Sequence, residues 1–158
     1  EINTLAEFGI SFGGAEFKPN EGVLQKDFLN FISKVMNYYG PVISNESTEE
    51  EINKMYAYLI REGIIKASEK NLTAPVTRED GMKFIIRALK LDKAAELPGI
   101  FKCSFTDAAE ISPAMVGYVT IGHALKLING DSQNRFNPKL QLARGEAALI
   151  IYRMLQVE

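Results

Sequence analysis

The chain has 158 residues, a formal net charge of −2, a pI near 5.6 and 46% hydrophobic residues. That length allows one large domain or a few small modules around a shared core, burying roughly 70% of the unfolded surface. The charge balance offers no basic face for nucleic acid, and no apolar run approaches the ~20 residues that cross a bilayer.

In chain order, residues 1–8 read as the end of a helix stopped by Gly9, so the chain reads as a piece of a longer one. The lack of a leader-like segment then says nothing about export. Residues 26–39 carry Phe28, Leu29, Ile32, Val35 and Met36 at helical spacing, with Gly40-Pro41 as the stop. A polar loop follows over 42–48. Thr48 before Glu49-Glu50-Glu51 predicts an N-cap with acids in the first turn, opening a helix that runs to Glu62 and stops at Gly63. Another helix is predicted from Arg78 to Leu91, with Met82, Ile85, Ile86 and Leu89 apolar. A short one near 92–96 precedes Pro98-Gly99. Phe101 to Phe105 is extended, Pro113 opens a helix to Leu127, and 144–156 forms the last. No alternation is long enough for a sheet, so the expected class is all-α.

One phrase recurs through these elements: a helix end, a turn, then a basic residue opening an apolar helix. It reads Gly9-Ile10-Ser11-Phe12-Gly13, Phe17-Lys18-Pro19 and Lys26-Asp27; then Gly63-Ile64-Ile65 and Thr77-Arg78-Glu79-Asp80; then Leu127-Ile128-Asn129-Gly130, Phe136-Asn137-Pro138 and Arg144-Gly145-Glu146. Lys26 and Arg78 are 52 positions apart, and Arg78 and Arg144 are 66 apart. The variation falls in connecting loops. A repeat of this size predicts sites that recur with it, with no need of a single catalytic cluster.

The basic residue is the chemically odd part. A cation at the first helical position faces the positive end of the helix dipole, at a cost of about 0.3–1 kcal/mol. Lys26, Arg78 and Arg144 are all placed there by the spacing. With the free backbone N–H groups, such a residue makes an anion site; an intramolecular salt bridge, for instance to Asp107, is the rival explanation. Thr77 and Asp80 read as a capping box, and Glu146 takes the same third helical position.

Enzyme signatures are lacking. Cys103 and His123 are the single cysteine and histidine, which leaves no Cys/His zinc cluster and no internal disulfide. His123 falls within a helix, and no phosphate loop, nucleophile elbow or metalloprotease helix occurs. No cofactor or metal is expected. Asp107 and Glu146 are the one conceivable carboxylate pair for glycoside chemistry, but Glu146 is better explained as a helix cap and Asp107 as ordering its turn.

Phe105-Thr106-Asp107, the Tyr118-Val119 helix, Leu127-Ile128-Asn129-Gly130-Asp131, Phe136-Asn137-Pro138 and Arg144-Gly145-Glu146-Ala147-Ala148 together resemble an S-layer homology repeat. The second copy is similar to it around Gly63 and Arg78, and the first is similar in register. The resemblance implies three helix-loop-helix repeats (1–40, 41–95 and 100–158) packed as a pseudo-threefold spindle around a central helical bundle. It implies a non-catalytic anchor at the bacterial cell wall, outside the cell, binding acidic, pyruvyl-bearing secondary cell-wall polysaccharide, with contacts to S-layer protein as a further partner. It carries glycan-groove roles onto Arg144, Arg78 and Lys26, onto Asp107 of the Phe-x-Asp motif, and onto Gly130 and Gly13. There are departures. The chain has no Trp, and Ala114 stands where the family often has one. Ala67 stands in the second copy where the third has Gly130. Lys26 cannot hold a carboxylate bidentately as Arg does, and Phe28 is placed at the capping-acid position of the first copy. A scaffold that has lost sugar binding is therefore the alternative reading, and one or two competent grooves are expected rather than three.

Overall fold

The computed structural model describes residues 18–157, so the expectations for residues 1–17, Gly13 among them, lie outside the described residues. Six α-helices occur among these: α1 (Gln25–Val35), α2 (Glu49–Arg61), α3 (Arg78–Ala88), α4 (Asp92–Ala95), α5 (Val116–Ala124) and α6 (Arg144–Met154), with 3₁₀ turns at Ala67–Glu69, Ala108–Glu110 and Pro113–Met115. Strands and sheets are absent among the described residues, and the protein is all-α as expected. α3 and α5 make the largest helix pair; α1 touches α2, α3 and α6, and α4 packs on α5. Phe28, Leu29, Ile32, Met55, Leu59, Met82, Ile85, Val119 and Ile151 are fully buried between them.

The helix starts follow local chemistry. Thr48 closes a capping box: its hydroxyl accepts the Glu51 N–H, and the Glu51 carboxylate accepts the Thr48 N–H at 2.8 Å. Thr77 accepts the Asp80 N–H, but Asp80, one methylene shorter than Glu, takes the Thr77 hydroxyl and Lys83 instead of closing the expected box.

The helix ends differ from expectation for one shared reason. α1, α3 and α5 stop several residues earlier than their apolar patterns, because Asn37, Lys90 and Lys126 adopt left-handed φ of 58°, 61° and 59°, as Gly63 does after α2 at 74°. Each sits in a Schellman turn. Tyr38, Ile64, Leu91 and Leu127 donate their N–H groups back to the carbonyls of Ser33, Leu59, Ile86 and Gly122. Three of the four left-handed residues are not glycine, which hides these stops from a glycine-based reading. α6 ends at Met154, two residues short of expectation.

Three short extended segments precede α1, α3 and α6, and they bind one another in a closed triangle. The Val23 N–H donates to the Leu142 carbonyl at 2.9 Å, Leu142 to Val76 at 2.8 Å, and Val76 to Val23 at 3.1 Å. Isolated antiparallel bridges Gly22–Ala143, Leu24–Pro75 and Thr77–Gln141 mark the same contacts. The triangle brings together three helix N-termini that are distant in sequence, and all three of its apolar side chains are buried.

Candidate functional site

The triangle fixes which residues correspond. Beside it, the N–H groups of Gln25, Arg78 and Arg144 donate to the carbonyls of Ala74, Leu140 and Glu21; the next N–H groups, of Lys26, Glu79 and Gly145, donate to Leu72, Pro138 and Pro19. Gln25, Arg78 and Arg144 are the first residues of α1, α3 and α6. The counterpart of the two arginines is therefore Gln25. Lys26 is at the second helical position, one later than its charge suggested, and Asp27, not Phe28, matches Asp80 and Glu146. Lys26 lies 4.0 Å from Asp27 with its side chain 19% exposed.

The three equivalent positions have different surroundings. Gln25 is buried: its amide donates to the Glu69 carbonyl at 2.9 Å, and its oxygen accepts from the Tyr56 hydroxyl and the Asn71 N–H. Arg78 is only 8% exposed. It pairs with Glu146, donates through Nε to the Phe136 carbonyl and through a terminal nitrogen to the Asn129 carbonyl, and lies over the Phe136 ring. Burial lowers its pKa, opposed by the fields of Asp107 and Asp131. Glu146, expected to cap its own helix, is drawn to Arg78 instead, and Ala143 offers no side-chain cap. Arg144 is the accessible member. Its side chain is 22% exposed and pairs at 3.2 Å with Glu21, itself 47% exposed.

Asp107 is buried, and its carboxylate accepts the Phe136 and Asn137 N–H groups at 2.8 and 2.7 Å, so it orders the Phe136-Asn137-Pro138 turn. A Cβ on Gly130 would meet the Asn134 backbone at 3.0 Å, which ties this glycine to packing of the 130–135 turn. Asp131 accepts the Arg135 and Gln133 N–H groups and the Asn137 amide; those bonds hold its pKa below the usual carboxylate range. The expected site residues thus split. Arg78 and Asp107 are buried structural partners around one turn, whereas Arg144 borders solvent.

Sequence reasoning passed over a second constellation. A cleft of about 560 Å³ between the α3–α4 and 113–118 segments is lined by Lys66, Glu69, Arg87, Glu96, Phe101, Ala114 and Tyr118, among others. Ala114 is exposed in it, where the resemblance led one to look for Trp. Arg87 holds Glu69 at 2.7 Å and lies 5.9 Å from the Tyr118 ring. Lys83 binds the other Glu69 oxygen at 3.1 Å. Burial alone would raise the Glu69 pKa; hydrogen bonds from Arg87, the Lys66 N–H and Lys83 outweigh it and bring the value to about 2. The Tyr118 hydroxyl donates to Glu96 at 2.6 Å, and burial first, then this bond, pushes its pKa up to about 12. Nearby, Glu79 accepts from Ser112 and Lys139, clamping α3 to the loop before α5.

His123 lies in the last turn of α5, half-buried, against Phe105 and 3.4 Å from the Ser104 hydroxyl. Among the described residues, no three His, Cys, Asp or Glu side chains are grouped to hold a metal. No helix there is long and apolar enough to cross a membrane.

The described residues form an all-α module whose helices α1, α3 and α6 are joined through the segments that precede them. Residues 104–148 match the S-layer homology domain family. The chain is similar to an exoglucanase XynX of Acetivibrio thermocellus, at 29% identity over 98% of this chain and 15% of that protein. It is also 29% identical to an amylopullulanase of Thermoanaerobacterium thermosulfurigenes, over 98% of this chain and 9% of that protein. The chain therefore spans under a sixth of the length of either relative.

Proposed function

We propose that this chain is a non-catalytic anchoring module that holds an exported bacterial protein at the cell wall by binding an acidic secondary cell-wall polysaccharide, pyruvylated in the form the resemblance implies. The observation that carries this reading is the match of residues 104–148 to the S-layer homology domain. The relatives support it. Similarity spans nearly all of this chain but only a small part of two proteins with different enzyme names, so what the shared part does is common to both and separate from either reaction.

The three-repeat organisation over 1–40, 41–95 and 100–158 belongs to the same proposal, and the closed hydrogen-bond triangle supports it. Within it, Arg144 is the anion-recognising residue. It opens α6, lies at the solvent boundary and is paired with an exposed carboxylate that a ligand carboxylate replaces at little cost. Lys26, 19% exposed and beside Asp27, is a lesser contributor. Arg78, Asp107 and Gly130 shape the neighbouring turn rather than meet the glycan.

The alternative, a scaffold for S-layer or other protein contacts, is favoured by the burial of Arg78 and the full engagement of Asp107. Co-sedimentation with wall sacculi from the native host, before and after removal of the secondary polysaccharide, separates the two. The anchor reading predicts binding that disappears with the polysaccharide. Absence of binding to intact sacculi, or binding indifferent to the polysaccharide, overturns it.

A further inference from the structure

A second surface lies away from the helix N-termini. Beyond the end of α1, Tyr38, Tyr39 and Tyr58 meet Asn37, Lys54 and Arg61 around an open cleft of about 610 Å³. Tyr39 is 98% exposed, an extreme for a large aromatic residue.

The platform beneath Tyr39 is held in place. The Tyr38 and Tyr58 rings pack with centroids 4.8 Å apart, and the Tyr58 hydroxyl donates to the Met36 carbonyl at 3.0 Å. Lys34 lies over Tyr38 and also donates to the Gly40 and Pro41 carbonyls. A Cβ on Gly40 would run into the Tyr38 ring, so the backbone itself is shaped to seat that ring. Arg61 covers the Tyr58 ring at 5.5 Å.

The fold supplies its own control. The Schellman turns align Tyr38 with Leu91, hence Tyr39 with Asp92; counting back five residues from Gly63 and Lys126 aligns Tyr58 with Ile121. At that second junction Asp92 opens α4, which packs on α5. At the first, no helix follows Tyr39 until α2, and the positions are aromatic instead. Packing of the repeat does not require three tyrosines here.

We propose that this cleft is a saccharide subsite for an acidic sugar, with the pyranose ring stacked on Tyr39 and its carboxylate between Lys54 and Arg61. A flat exposed ring beside hydrogen-bonding groups suits a sugar, which presents an apolar C–H face and a polar edge. The choice of an acidic sugar rests on charge: the charged residues lining the cleft are both cations. Their present carboxylate partners stand at the rim. Lys54 pairs with Glu50 at 2.7 Å, both exposed, and such pairs exchange readily; the exposed Arg61 pairs at 3.5 Å with the half-buried Glu62, which Lys90 also holds and so can keep when Arg61 turns to a ligand.

The site is independent of Arg144 and has its own readout. The chain has six tyrosines and no Trp, and three of the six line the cleft, so tyrosine emission reports on it in part and NMR shifts of Tyr39 are the local probe. Titration with oligoglucuronate is expected to change both signals, and cello-oligosaccharide of equal length to bind more weakly. Tyr39→Ala, at a fully exposed position, is expected to weaken uronate binding about tenfold, and Lys54→Ala with Arg61→Ala to abolish the acidic preference. No response to oligoglucuronate, equal binding by Tyr39→Ala, or a signal that follows protein concentration alone and so reports self-association would overturn the proposal. Because no sacculi are used, failure here and failure of the anchor reading are told apart.

Discussion

Arg78 and Arg144 occupy the same position in the fold and have opposite fates. Both open an apolar helix, and both donate a backbone N–H across the same triangle of segments. Arg78 then turns into the body of the protein, where Glu146, two carbonyls and an aromatic ring surround it. Arg144 stays nearer the solvent, where it pairs with the half-exposed Glu21. A repeated motif therefore specifies a position and not a role. The role is set by what the neighbouring segment presents, and the third equivalent, Gln25, shows the extreme: it has no charge and is wholly engaged in internal hydrogen bonds.

Substitutions at these positions test the contrast. The largest loss is expected for Arg78→Ala, about 3–5 kcal/mol of unfolding free energy, because Glu146 and two carbonyls lose their buried cation. Chemical denaturation checks this; a loss below 1 kcal/mol would mean Arg78 is not the interior latch described. Next comes Glu69→Ala, at about 3 kcal/mol near neutral pH, since Arg87 and Lys83 are both nearly buried and depend on that carboxylate. The pH dependence has a definite sign. The Glu69 pKa is depressed from 4.5 to about 2, so its contribution is complete above pH 4.5 and disappears as pH falls through 2. The difference between wild type and variant should narrow over that window. Gln25→Ala is expected to cost about 1–3 kcal/mol, leaving the Tyr56 hydroxyl and Asn71 N–H without their shared acceptor. Arg144→Ala is expected to cost less than Arg78→Ala, because its side chain lies nearer the solvent and its partner Glu21 is half-exposed.

Much of this architecture is legible in the amino-acid order. Thr48 and Thr77 announce their helices, and the apolar spacing of α1 and α3 marks their buried faces. The register at the start of α1 is not legible. Gln25 and Lys26 are adjacent, charge points to Lys26, and the choice is made by Ala74 and Leu72 carbonyls almost fifty residues away. The burial of Arg78 is hidden for the same reason, since its acceptors Phe136 and Asn129 lie 58 and 51 residues downstream. Non-glycine left-handed stops at Asn37, Lys90 and Lys126 conceal where helices end. The Glu69–Arg87–Lys83 cluster carries no motif; only the fold brings its members together.

The contrast between the two arginines is tested most directly by measuring Arg144→Ala in two ways on one sample: thermal unfolding, and co-sedimentation with sacculi that retain their secondary polysaccharide. The account predicts a melting curve close to wild type together with a loss of sacculus binding of about tenfold or more, as for a charge-assisted contact to a carboxylate. Wild-type binding by a folded Arg144→Ala protein would contradict it.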